Sequence, residues 1–195
     1  FDYDVDFEDI ITDLRVLEST YINVVLVLPY TSNLRERLNA WNSRGSRYVC
    51  YDVNADSIDL SGLELQLRNA LSLNQMPVVS VNTNQTFECL TQDRIAFELA
   101  GKLNVDKLFF LTSKSGLQVK NKFYSHPSLD ELERILRTPK YINIGAERLE
   151  AICSERKKYG FEVVLLGCES GALFEEIFTH RGRGTLFSDR YPNLI

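Results

Sequence analysis

Few side chains in this sequence have the type and spacing that catalysis needs. The two histidines, His126 and His180, lie too far apart for a metal site or a catalytic pair. No Ser/His/Asp or Cys/His arrangement for nucleophilic catalysis can be nominated. The cysteines are far apart and show no C-x-x-C spacing, which indicates neither zinc nor a redox pair: Cys50, Cys89, Cys153 and Cys168. We therefore predict no metal and no cofactor, and we expect buried, unpaired thiols in a reducing compartment.

The charge distribution argues against nucleic acid as a partner. The net charge is −5 at pH 7, whereas phosphate backbones are bound by clustered lysines and arginines. Arg181, Arg183 and Arg190 form a local concentration of positive charge in the sequence. We interpret it as a solvated turn, so no nucleic-acid contact is expected.

The length of the chain sets the scale of the fold. The 195 residues fit one domain, residues 1–195, which is long enough to bury a core without disulfides. No apolar run approaches 18 residues and no signal-like segment is found at the start, so we expect no membrane insertion. The sequence starts at Phe1 rather than at a methionine, which leaves open that a leader or a first strand precedes it.

The elements that must position any site are clearest in the stretch Phe161–Ser188. The apolar run Val163–Leu166 predicts a strand that is buried on both faces. A helix capped by Glu169 or Ser170 should follow, and glycines should end it before a return strand at Thr185–Phe187. Four apolar residues at helical spacing are expected to face the core: Leu173, Phe174, Ile177 and Phe178.

Upstream of this stretch, helical and strand-like patterns alternate. Such alternation predicts a three-layer α/β/α sandwich with a mostly parallel sheet. A polar turn is expected at Asn82–Gln85, and Thr91 is the predicted cap of the helix that follows it. The predicted helices are Phe7–Ser19, Asn33–Trp41, Leu60–Leu73, Thr91–Leu103, Ser125–Arg137 and Gly145–Tyr159. The predicted strands before Phe161 are Ile22–Leu28, Tyr48–Val53, Pro77–Val81 and Lys107–Thr112.

Three motifs of this sequence resemble the amino-acid kinase family, and within it the N-acetylglutamate kinase and synthase branch. The run Gly171–Thr185 is similar to the signature G/H-A-L-L-L-E-L-F-T-x-x-G-x-G-T that closes the family's domain. The helix with Asp93 resembles the N-A-D-x-x-A helix, and Asp106–Gly116 resembles the strand and turn A-D-K-L-I-x-L-T-D-x-x-G. The similarity covers roughly Asp9 to Phe187. It implies the family's fold.

The departures from the family pattern argue against phosphoryl transfer. Leu28, Pro29, Tyr30 and Thr31 stand where the family has an H-G-G-G loop, and proline has no N–H to offer a phosphate. The family's first strand, K-x-G-G, is missing from the sequence. No lysine is found near Ile144–Arg148, where a G-x-x-x-K element would fall, and Ser113 replaces an aspartate. Asp93 is the only catalytic residue that matches, which predicts a degenerate member without this activity.

The resemblance implies three functional alternatives. The first is an arginine-sensing regulatory or oligomerisation module, whose ligand would be bound by Glu176, Gly182, Gly184 and Thr185, with His180 nearby. The second is a structural subunit of a larger assembly, in which a protein partner covers the sheet edge left by the missing strand. The third is an active acyl-amino-acid kinase. Family resemblance also implies a mitochondrial location, and protein partners or self-association are expected.

Overall fold

A computed structural model describes residues 10–57, 59–82, 88–179 and 182–188 of the chain. Several residues of the sequence predictions lie outside this part: Phe7, most of the turn Asn82–Gln85, His180, Arg181 and Arg190. None of the described helices is long and apolar enough to cross a bilayer.

Helices and strands alternate along the described chain. The helices are α1 (Ile11–Ser19), α2 (Leu34–Asn42), α3 (Leu60–Ser72), α4 (Glu88–Leu103), α5 (Leu129–Leu136), α6 (Ala146–Tyr159) and α7 (Ala172–Phe178). The strands are β1 (Leu26–Pro29), β2 (Tyr48–Asn54), β3 (Met76–Asn82), β4 (Lys107–Thr112), β5 (Leu117–Val119), β6 (Lys122–Tyr124), β7 (Glu162–Gly167) and β8 (Thr185–Phe187).

The strands form a mostly parallel layer between two layers of helices, as the sequence predicts. One half has the order β1-β3-β2 and is all parallel; the other has the order β4-β7-β8, in which only β8 is antiparallel. Buried residues of α1, α2 and α7 form a core on one face of the strands, and those of α3 to α6 form two cores on the other. Strands covered on both faces must be apolar throughout, and the residues Val163–Leu166 are fully buried.

A cleft separates the two halves of the sheet. The edges of β1 and β4 both line it, with Leu14 of α1 and Leu173 of α7 on one face and Ala96 of α4 on the other. Its volume is about 570 Å³, and no strand of the described residues lies between β1 and β4. The amide of Gln92 donates to the carbonyl of Val27 at 3.2 Å, so a side chain satisfies a strand group at this edge.

Several local predictions are wrong, each for an identifiable reason. Helix α4 begins at Glu88, which places Thr91 inside the helix rather than at its cap. The N-cap of α7 is Gly171, at φ 84°, and neither Glu169 nor Ser170 caps this helix. Phe174 and Phe178 contact each other with tilted rings, at 4.9 Å between centroids, and are about 40% exposed. The short helix α7 has only seven residues and buries Ala172 and Leu173 instead.

Two further differences concern strands. Strand β1 begins at Leu26, so Ile22–Val25 form a connection rather than the predicted start of the strand. The sequence patterns do not predict the hairpin β5–β6. Its turn residues Lys120 and Asn121 have φ of 49° and 66°, and its strands of three residues are too short for a periodic pattern.

Candidate functional site

The carboxyl ends of the parallel strands are the usual ligand edge of such a sheet. Most residues singled out in the sequence lie here: the segment Leu28–Thr31 ends β1, Asp93 lies in α4, and Ser113 follows β4. Glu176 in α7 and the turn at residues 182–184 are joined to this edge through β7 and β8.

Asp93 forms a two-point ion pair with Arg148. The Nε of Arg148 lies 2.6 Å from Asp93 Oδ2, and its Nη2 lies 3.3 Å from Oδ1. Both residues are buried, at 5% and 8% exposure, and the guanidinium lies over the ring of Phe110 at 5.7 Å. A buried carboxylate needs such a partner. Through this two-point contact the guanidinium of Arg148 pairs with the carboxylate of Asp93, and α6 is held against α4.

Sequence reasoning missed Arg148. It found no lysine near Ile144–Arg148, which is correct, but it did not consider that an arginine there could pair with Asp93. The available signal was chemical: an aspartate within an apolar helix pattern requires a cation, and Arg148 follows the glycine that caps α6.

The segment Leu28–Thr31 offers few donors to an anion. Leu28 is buried and Pro29 has no N–H. The N–H of Tyr30 donates to the carbonyl of Val81 at 2.9 Å, which extends the pairing of β1 with β3. The side chain of Tyr30 is 48% exposed. This backbone is therefore built into the sheet rather than shaped as a cradle for phosphate.

The amino end of α7 is occupied by a carboxylate of the chain itself. Asp13 of α1 is 3% exposed and accepts hydrogen bonds from the N–H groups of Gly171, Leu173 and Phe174, at 3.0, 3.1 and 3.4 Å. Free N–H groups at a helix start are ready-made anion sites. Here Asp13 already fills that position, and it fixes α1 against α7.

The four residues predicted to bind arginine are neighbours in the structure, but three of them, Glu176, Gly184 and Thr185, already form hydrogen bonds within the chain. Glu176 Oε2 accepts from the N–H of Gly184 at 3.3 Å, and a Cβ at Gly182 would lie 2.4 Å from the same oxygen. Thr185 is fully buried: its hydroxyl donates to the carbonyl of Tyr124 and accepts from the N–H of Leu117. Glu176 therefore orders the turn, and the side chain of Thr185 faces the hairpin.

A guanidinium contact does exist beside these residues. Arg183 places its Nε 2.7 Å from Glu175 Oε2 and its Nη2 3.0 Å from Oε1, and its Nη1 lies 3.3 Å from Glu169. The Arg183 side chain is 47% exposed. Two parallel N–H···O bonds are the strong geometry for an arginine and a carboxylate. Glu175 is thus a guanidinium acceptor, one residue before the predicted one.

The thiols show no sign of activation. Cys50, Cys153 and Cys168 form no disulfide within the described residues and are half-buried. Burial, with a smaller contribution from Asp52, raises the pKa of Cys50 to about 12, and burial also raises the pKa of Cys153. A reactive cysteine needs the opposite shift. Within the described ranges, His, Cys, Asp and Glu side chains form no group of three that could hold a metal ion.

No protein-family model matches the chain, and no curated protein sequence is significantly similar to it. Solved structures do share its fold. N-acetylglutamate synthase from Neisseria gonorrhoeae, solved with coenzyme A and N-acetylglutamate, superposes with a TM-score of 0.63 at 15% identity, over 92% of this chain and 55% of that one. UMP kinase from Ureaplasma parvum superposes with a TM-score of 0.55 at 15% identity, over 79% of this chain and 64% of that one.

The chain therefore has an amino-acid kinase fold, as the motifs in its sequence indicated. It spans about half the length of the synthase and two thirds of the UMP kinase. At 15% identity the likeness concerns the fold, and any shared activity has to be argued from this chain's own residues.

Proposed function

We propose that this chain is a kinase-fold domain that does not transfer phosphoryl groups and serves as a regulatory or oligomerisation module. The observation that carries the proposal is the state of the carboxyl edge, where the groups that could meet a phosphate already bind one another. Asp13 takes three N–H groups of α7, Tyr30 donates to Val81, and Arg148 is held by Asp93.

Phosphoryl transfer would need those groups in a different state. The protein's contribution to such a reaction is positive charge and N–H donors directed at the moving phosphate. A phosphate entering here would have to displace Asp13, a buried carboxylate, or separate the buried pair of Asp93 and Arg148. Separating a buried pair costs about 3–5 kcal/mol. The arrangement thus favours a stable fold over turnover.

For the regulatory role we propose L-arginine as the ligand, bound at Glu175 and Glu176. Arg183 shows that a guanidinium fits Glu175 with two-point geometry at a half-exposed position. An exposed ion pair contributes only about 0–1 kcal/mol. Free arginine could therefore take the place of the Arg183 side chain at little cost, with its α-amino and carboxyl groups directed to the turn at Gly182 and Gly184.

Calorimetric titration with L-arginine, N-acetylglutamate and MgATP as separate titrants tests the proposal. Heat with arginine alone is expected. Removal of the internal competitor in Arg183→Ala should tighten binding, and Glu175→Ala should abolish it. The matched control is Glu155→Ala on α6, which removes an exposed, ion-paired carboxylate elsewhere on the surface. Heat with both the MgATP titration and the N-acetylglutamate titration would refute the non-catalytic proposal, and the absence of heat with arginine would refute arginine as the ligand.

The cleft between β1 and β4 favours a second candidate, a structural subunit. The strand edges of β1 and β4 both line an apolar cleft, and sheet edges are places where another chain can pair. An extended segment parallel to both would join the two halves of the sheet. A folded chain that ignores all three titrants, and whose Lys107–Thr112 amides exchange slowly only within its native assembly, would favour this role.

A further inference from the structure

A second pocket opens at the opposite end of the β1-β3-β2 half, where the strands begin. It has a volume of about 520 Å³ and lies among the three loops that lead from α1, α2 and α3 into β1, β2 and β3. Each loop has one residue of positive φ at the pocket: Tyr21 at 59°, Gly45 at 97° and Asn74 at 53°. The carboxyl-edge groups considered for the kinase-like site are not part of it.

Positive charge dominates this pocket. Arg15, Arg44 and Arg47 line it together with one acid, Glu18. Glu18 accepts from the backbone N–H of Arg47 at 3.0 Å. Among the described residues, none of the three guanidiniums forms an ion pair, whereas Arg35, Arg68 and Arg148 all do.

The three arginines are also not needed to cap the helices that end here. The last carbonyls of these helices already accept backbone N–H groups of the loops. Thr20 donates to Leu17 in α1, Gly45 to Asn42 in α2, and Gln75 to Ala70 in α3. The guanidinium donors are therefore available to something else.

Among the described residues, two buried polar atoms at this pocket have no partner at hydrogen-bond distance, namely Arg15 Nε and Ser46 Oγ. The side chain of Ser46 is only 6% exposed. The phenol of Tyr48 adjoins them, and burial, followed by the nearby charge of Glu18, raises its pKa to about 12, so it stays neutral. Buried donors without acceptors are costly and uncommon, and a guest with several acceptor oxygens would satisfy both.

We propose that this pocket binds the phosphate group of a small phosphorylated molecule. Phosphate has enough acceptor oxygens for Arg15, Ser46 and the exposed forks of Arg44 and Arg47, and its dianion balances the excess positive charge. The volume exceeds what a phosphate ion fills, which leaves room for an organic group beside the polar side chains of Asn23, Asn74 and Gln75.

The test is calorimetric titration of the full chain with inorganic phosphate, glucose 6-phosphate and glucose. Glucose differs from glucose 6-phosphate only in the phosphate, and neither sugar resembles a nucleotide that a kinase fold could accept elsewhere. Saturable binding of glucose 6-phosphate but not of glucose is expected. Tighter binding of glucose 6-phosphate than of phosphate assigns the pocket to a phosphomonoester, and equal binding assigns it to the free anion.

Variants locate the binding. Arg47→Gln should weaken it about tenfold, equivalent to about 1.4 kcal/mol, and it should fold normally because only the backbone of Arg47 is used internally. Ser46→Ala should weaken binding severalfold with little change in the melting temperature of the free protein, since within the described residues its hydroxyl meets no partner at hydrogen-bond distance. The control Arg134→Gln makes the same charge change on α5, in the other half of the domain.

Three results would overturn the proposal. They are the absence of saturable binding by the folded chain, binding of undiminished strength in Arg47→Gln, and an equal loss in Arg134→Gln. A melting temperature that falls in Ser46→Ala while phosphate binding stays intact would likewise assign the hydroxyl a structural role. None of these outcomes depends on the arginine or kinase titrations, so this proposal and the proposed function fail separately.

Discussion

Replacing Asp13 with alanine should weaken the attachment of α1 to α7 more than the loss of an ordinary helix cap. Asp13 is 158 residues from Gly171 in sequence, and its carboxylate accepts three N–H groups of the α7 start at 3.0–3.4 Å. Alanine would leave these donors without an acceptor in a site that is 3% exposed. The two shorter bonds are charge-assisted, and each buried donor left unpaired is costly.

The expected loss is about 2–4 kcal/mol in the free energy of unfolding. A usual N-cap replacement costs about 1 kcal/mol, and the additional donors and their burial raise that figure. For a domain of this length the melting temperature should fall by roughly 5–15 °C. Asp13→Asn keeps one acceptor oxygen and should lose about half as much. Urea unfolding followed by circular dichroism at 222 nm gives the midpoint and the slope for each variant.

Asp59→Ala is the matched control for this experiment. Asp59 is an exposed N-cap of α3 and accepts a single hydrogen bond from Ser61 at 3.1 Å. It should cost about 1 kcal/mol or less. If Asp13→Ala costs no more than Asp59→Ala, the carboxylate is not the link between α1 and α7, and the reasoning about a filled anion position fails with it.

Three further predictions use the same unfolding measurements or simple labelling. Arg148→Met should cost about 3–5 kcal/mol because Asp93 would stay buried without its guanidinium partner, and a double replacement with Asp93→Leu should recover most of the loss. A single-variant loss below about 1 kcal/mol would contradict this. Gly116→Ala should lower the free energy of unfolding more than Gly160→Ala does. Both glycines have positive φ, but only at Gly116 would a Cβ meet an aromatic ring, at 2.4 Å. Equal losses of stability would refute this steric argument. The pKa of Cys50 is raised to about 12, so in the folded chain this thiol should react with iodoacetamide at pH 8.5 at least about tenfold more slowly than in urea. Peptide mass spectrometry measures both rates, and equal rates would contradict the raised pKa.

The sequence predicts this fold well where local patterns determine the outcome. The strand Lys107–Thr112 has the predicted bounds, and Val163–Leu166 is buried on both faces as expected, because a strand covered by two helix layers must be apolar at every position. Helices α2 and α3 also lie within a residue or two of their predicted ends. Each of these segments carries its own evidence in its hydrophobic spacing.

Prediction fails where a partner lies far along the chain. Asp13 was part of an apparently ordinary acidic helix, and nothing near it in sequence shows that it caps α7. The same holds for Arg148, whose carboxylate partner is on another helix. Glu169 and Ser170 had suitable chemistry for a cap, but Gly171 adopts a left-handed conformation and the cap comes from α1. Long-range polar contacts of this kind have no period that a sequence pattern could reveal.

The balance of satisfied polar groups indicates where a ligand can enter this fold without a large cost. At the carboxyl edge a ligand must displace an internal partner, and the cost depends on burial. It is several kcal/mol for the buried pair of Asp93 and Arg148, but only about 0–1 kcal/mol for the exposed contact of Arg183 with Glu175. At the amino end no ion pair among the described residues has to be displaced, and Arg15 Nε and Ser46 Oγ meet no partner there at hydrogen-bond distance. The energetics therefore allow ligands at the Glu175 position and in the arginine-lined pocket, and they oppose one at the position where a kinase would hold its phosphate.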